Sequence, residues 1–115
     1  MSSLLKIDYS EIETSDDTEY DFAAWLYGLL ISCADKAGFS ILGGNCHDFD
    51  PKGATAFLML SESHIAAHTW PDKKKIALTI ATCSQDKTKV NLFKELFLEA
   101  VKGVSIKSCS PFLEF

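Results

Sequence analysis

The side chains best suited to nucleophilic or proton-transfer chemistry crowd into one stretch, residues 55–83, which reads T-A-F-L-M-L-S-E-S-H-I-A-A-H-T-W-P-D-K-K-K-I-A-L-T-I-A-T-C. Within it Ser63 stands next to His64 and five residues before His68, the parts of a hydroxyl nucleophile with an imidazole base. No G-x-S-x-G elbow surrounds that serine, so the α/β-hydrolase arrangement is not indicated. Cys83 with His68 would equally make a thiol nucleophile and its base. A zinc site drawn from Cys46, His47, His64, His68 and Cys83 meets none of the structural-zinc spacings, and no metal is expected. The residues by themselves leave the catalytic readings open.

These groups must be positioned by short elements. Residues 4–9 alternate, with Leu5, Ile7 and Tyr9 on one face, and predict a strand. Asp16, Asp17, Thr18 and Glu19 supply a helix start, through a capping side chain and negative charge at the positive end of the dipole. Phe22, Trp25, Leu26, Leu29, Leu30 and Cys33 then recur at helical spacing as a core stripe until Gly38 ends the helix. Strand candidates follow at residues 39–42, 45–49, 54–61, 64–69 and 76–82. Gly43-Gly44, residues 50–53 and residues 70–72 punctuate them as turns. A second helix is predicted over residues 88–102, with Leu92, Phe93, Leu96, Phe97, Ala100 and Val101 on one face, and a last strand over 104–109. The order β-α-β-β-β-β-α-β with short connections predicts an α+β two-layer sandwich, its antiparallel sheet covered on one face by two helices. The sheet face left bare in so small a domain predicts a homodimer.

Bulk properties narrow the function classes. With 115 residues the chain makes one domain, residues 1–115, without linker or repeat. A net charge of −5, with no basic cluster beyond Lys73, Lys74 and Lys75 at a solvated turn, argues against nucleic acid as a partner. No apolar run approaches the roughly 20 residues of a membrane helix, so no membrane association is expected. No basic-then-apolar leader is visible, which predicts a cytoplasmic address. Cys33, Cys46, Cys83 and Cys109 form no C-x-x-C pair and read as reduced thiols.

The run L-S-E-S-H-I-A-A-H-T-W-P, followed by Thr82-Cys83 at the end of the next strand, resembles the prokaryotic S-adenosylmethionine decarboxylases. In that family Glu-Ser-His precedes a His-Thr-aromatic-Pro segment and a Thr-Cys pair, and the upstream F-D-P-K-G-A-T resembles its Phe-x-Pro-x-Gly stretch. Decarboxylation needs an electron sink that no ordinary side chain supplies. The resemblance implies that the sink is a pyruvoyl group made from Ser63, after the chain cuts itself between Glu62 and Ser63 into 1–62 and 63–115. The Ser63 hydroxyl attacks the Glu62 carbonyl and turns the peptide bond into an ester. β-Elimination frees the Glu62 carboxylate and leaves dehydroalanine at 63, and hydrolysis of that group releases ammonia.

By the same resemblance His68 promotes self-cleavage by taking the Cα proton, a task suited to an imidazole. Thr55 stands where the family has a serine assisting the ester step. Cys83 matches the proton donor to the decarboxylated carbon, and an ordinary thiol is protonated near neutrality. Phe49 matches an aromatic that stacks on adenine, and Asp72 replaces a glutamate that holds the ribose hydroxyls. That exchange withdraws the carboxylate by about 1.5 Å, at a cost of roughly 1 kcal/mol for a lost hydrogen bond. The N-terminal segment is shorter than in the family and lacks its aromatic-Gly-Cys pattern. His64 and Ser61 are read as serving the backbone path around the cut, and His47 has no assigned place. The implied activity is decarboxylation of S-adenosylmethionine, giving the aminopropyl donor for spermidine synthesis. The rivals are a pyruvoyl-dependent ornithine or arginine decarboxylase and a non-processing regulatory subunit.

Overall fold

Strict alternation along the middle of the chain decides which way each side chain points. In the strands at residues 54–60 and 63–70, Ala54, Ala56, Leu58, Leu60, Ile65, Ala67 and Thr69 are buried while the residues between them face outward. The computed structural model describes residues 4–15, 22–61, 63–83, 87–109 and 112–114. Its elements are β1 (Leu4–Thr14), α1 (Ala23–Ala37), β2 (Ile41–Asp48), β3 (Ala54–Leu60), β4 (Ser63–Trp70), a 3-10 turn (Pro71–Lys73), β5 (Lys75–Thr82), α2 (Thr88–Ala100), β6 (Gly103–Cys109) and β7 (Phe112–Glu114). The sheet runs β2-β3-β4-β5-β1-β6 with every neighbouring pair antiparallel, and β7 pairs with the start of β1. This is the α+β sandwich expected from the sequence.

Both helices lie on the face lined by Ile12, Leu58, Ile65, Ile76, Leu78 and Ile80, where Leu26, Leu30, Phe93 and Phe97 are fully buried. Each such side chain contributes about 1.5–3 kcal/mol on leaving water. Lys94 Nζ, 3.2 Å from Asp8 Oδ1, ties α2 to β1.

Two expectations are corrected. Gly43-Gly44 is not a turn but part of β2, which joins the two strand candidates predicted there. A Cβ on Gly44 would overlap the Phe57 carbonyl and lie 2.9 Å from the Tyr27 ring, so the glycine answers a close approach instead of a reversal. Phe22, Trp25 and Leu92 are exposed, because periodicity marks a stripe wider than the sheet and the neighbouring helix can cover. The acidic stretch 16–19 lies outside the described residues. Helix α1 begins at Ala23, whose N–H donates to Asp48 Oδ1 at 2.7 Å, a capping contact reaching from β2.

Among the described residues no helix lies over the other sheet face. Phe57, Met59 and Trp70 there are 40%, 52% and 45% exposed. Among the described residues no helix is long and apolar enough to cross a membrane.

Candidate active site

The β3–β4 hairpin carries most of the candidate residues, and its register sets their neighbours. Leu60 faces Ser63 across a two-residue turn whose Ser61 N–H donates to the Ser40 carbonyl at 3.0 Å. Residues equally far from that turn therefore oppose each other, which sets Thr55 directly across from His68. Thr55 Oγ1 and His68 Nδ1 are 2.7 Å apart, a short hydrogen bond on the bare sheet face.

Around this pair lies the candidate substrate end. His47 on β2 opposes Thr55 on its other side, and its ring meets Phe49 edge-on at 5.0 Å. Phe49 is 51% exposed, so it is not the core residue a strand end could have made it. Its N–H donates to the Gly53 carbonyl at 2.8 Å. Gly53 (φ +105) is packed so closely that a Cβ would sit 2.9 Å from the Thr69 carbonyl. That contact holds the Phe49 loop beside the Pro71–Lys73 turn, which bears the exposed Asp72. Trp70 lies 6.2 Å from the His68 ring.

Ser63 and Cys83 occupy the opposite end of the same strands. Ser63 pairs with Thr82, and the exposed Cys83 follows immediately. Buried Cys33 is a poor rival, since burial pushes its thiol up to about 11 although Lys36 pulls the other way. Ser63 Oγ lies 3.3 Å from His64 Nδ1, one of the two serine–imidazole pairings the sequence left open. Glu62 lies outside the described residues. Ser63 has φ 149°, a conformation L residues rarely adopt and one that costs of order 1–3 kcal/mol.

Strain at Ser63 is a cost borne by the intact chain. A stability consequence follows for chains that cannot be cut. Ser63→Gly should melt above Ser63→Ala, since glycine accepts positive φ at no steric cost. With about 1 kcal/mol left after glycine's own entropy cost, the gap is roughly 4–8 °C by calorimetry. Equal melting temperatures would mean that the conformation is unstrained.

One distance governs the whole arrangement. Five residues of antiparallel strand, about 17 Å, separate Ser63 from His68. Within one chain the Thr55–His68 pair cannot touch the serine.

Fold and site together define a two-layer α+β domain whose β3–β4 hairpin carries most of the candidate residues. By its sequence the chain belongs to the S-adenosylmethionine decarboxylase family, whose model matches residues 9–108. It is 36% identical over 73 residues to an S-adenosylmethionine decarboxylase proenzyme of Parasynechococcus marenigrum, covering 64% of this chain and 57% of that protein. Another proenzyme of that name, from Persephonella marina, is 31% identical over 102 residues, 89% of this chain and 70% of its own. The chain thus matches a little over half the length of the first of these relatives. The crystal structure of the adenosylmethionine decarboxylase from Aquifex aeolicus shares the fold, with TM-score 0.82 at 23% identity over 96% of this chain and 89% of that one.

Proposed function

We propose that this chain is the precursor of a pyruvoyl-dependent decarboxylase that acts on S-adenosylmethionine. The observation that carries the reading is Ser63, held at positive φ at the head of β4 with Cys83 beside its strand partner. Cutting before Ser63 yields the pyruvoyl group, which supplies the electron sink for loss of CO2. Cys83 gives a proton to the carbon that lost CO2. Phe49 offers a ring face to the adenine, and Asp72 an acceptor to the ribose hydroxyls, directly or through a water. Thr55 and His68 serve the cutting reaction, with the Thr55 hydroxyl fixing the imidazole and His68 taking the Cα proton of residue 63.

The 17 Å gap makes a second copy part of this reading. If the bare faces of two chains pack together about a two-fold axis, one chain's Ser63 end meets the other's His68 end, and the reverse contact follows by symmetry. Phe57, Met59 and Trp70 supply the apolar area for such a contact. The working unit is then a homodimer with two composite sites, in a reducing cytoplasmic setting that keeps Cys83 a thiol.

Intact mass and labelled substrates test the proposal. Purified protein should give 1–62 and 63–115, the second lighter by one ammonia than a serine-ended peptide, and Ser63→Ala should stay whole. Processed protein should release CO2 from S-adenosylmethionine and leave ornithine and arginine untouched. Asp72→Glu should keep or raise activity, while Asp72→Ala should weaken binding by roughly 1 kcal/mol or more. A preference for either plain amino acid would overturn the substrate and leave the cofactor chemistry standing.

A further inference from the structure

We infer that His64 is the base for the first step of self-cleavage, and that this step is set up inside a single chain by the backbone of Ser63. The inference rests on the self-cleaving reading above. Two independent observations carry it.

The first is the torsion at Ser63. Attack of Oγ on the preceding carbonyl carbon closes a five-membered ring of that carbon, the Ser63 nitrogen, Cα, Cβ and Oγ. Such a ring closes only when Cβ and the carbonyl carbon lie on nearly the same side of the N–Cα bond. In an L residue Cβ sits about 120° round that bond from the residue's own carbonyl carbon. A φ of 149° therefore leaves Cβ roughly 30° from the preceding carbonyl carbon, where strand and helix conformations hold it at about 100–180°. The strained backbone is thus the reactive one, and the ordering needed for ring closure is already made in the folded chain.

The second observation is the contact. His64 Nδ1 is 3.3 Å from Ser63 Oγ, and His64 is exposed on β4 in the single chain. With its proton on Nε2, the ring accepts the hydroxyl hydrogen at Nδ1. His68, about 17 Å along the strand, cannot take that proton within the chain. The step balances as follows. The Ser63 Oγ–H proton passes to His64 Nδ1 as the Oγ–C bond to residue 62 forms. The C–N bond then breaks, and the imidazolium returns the proton to the departing Ser63 nitrogen, which becomes a free amine on an ester. Elimination from that ester is left to His68 of the second copy.

Hydroxylamine separates the two histidines, since it cleaves esters and spares amides, and it reports on the ester without any decarboxylase assay. His68→Ala should form the ester and stall, so hydroxylamine should cut it into 1–62 as a hydroxamate and 63–115 with serine intact. His64→Ala and His64→Gln, folded by circular dichroism, should be cut at least tenfold more slowly than wild type. Hydroxylamine should not accelerate them, whereas added imidazole should restore cutting to His64→Ala. Wild-type cutting rates in both His64 variants, or hydroxylamine cutting them as fast as His68→Ala, would overturn the inference. A wild-type chain that never cuts would instead overturn the proposed function itself.

Discussion

Two chains that are each dead alone should revive when made together. On the roles proposed for Ser63 and His68, Ser63→Ala has no residue to convert and His68→Ala lacks the base for elimination, so neither should process or turn over by itself. In a mixed dimer one composite site combines both lesions, while the other takes Ser63 from the His68→Ala chain and His68 from the Ser63→Ala chain. Random assembly makes half the dimers mixed with one good site in each, so activity should reach about a quarter of wild type. Mass should identify the rescued chain, because only the His68→Ala polypeptide can be cut. The expectation rests on the strand itself, since no side-chain motion spans five residues of β4. Co-expressed chains that stay whole and inactive would sink the two-copy site.

Cys83→Ala should leave cutting intact and lose roughly 10²–10⁴ of turnover, the usual worth of a positioned proton donor. The thiol is exposed at the end of β5, one residue beyond the strand partner of Ser63, and nothing in the cutting chemistry calls on it. Loss should appear in kcat with KM little changed, because the proton is needed only after CO2 has left. Cys83→Ser should fall between the two, since a hydroxyl occupies the same place but is a much weaker acid. Full activity in Cys83→Ala, measured as CO2 release by processed protein, would remove Cys83 from the mechanism.

The strands of this stretch were legible because short apolar-rich runs are bounded by turn residues at 50–53 and 70–72, and the inward positions of β5 include Ile76, Leu78 and Ile80. Gly43-Gly44 was misread because the same pair serves a reversal or a close approach, and only the position of Tyr27 distinguishes them. Exposure of Phe22 and Trp25 depends on how far α2 and the sheet reach, which periodicity does not encode. At the site, motif likeness put Thr55, Ser63, His68 and Cys83 in one constellation. The hairpin register divides them into two, and that division was available by counting outward from a two-residue turn. The torsion at Ser63 was not, since Ser has no intrinsic preference for positive φ and nothing in its sequence neighbours signals one.

The strand order has a kinetic side. A cut before Ser63 assigns β1, β2 and β3 to one fragment and β4, β5, β6 and β7 to the other, so the described strands meet across fragments at four seams, β3–β4, β5–β1, β1–β6 and β1–β7. Neither piece can slide away as a layer, because β1 is gripped on both edges by strands of the other piece. The fragments part only by global unfolding, and from there reassembly is a bimolecular encounter in place of a first-order search, without the high effective concentration that a peptide link confers. For the proposed self-cutting chain, folding must therefore come first and cutting second. A processed molecule that melts has lost the connectivity that built it.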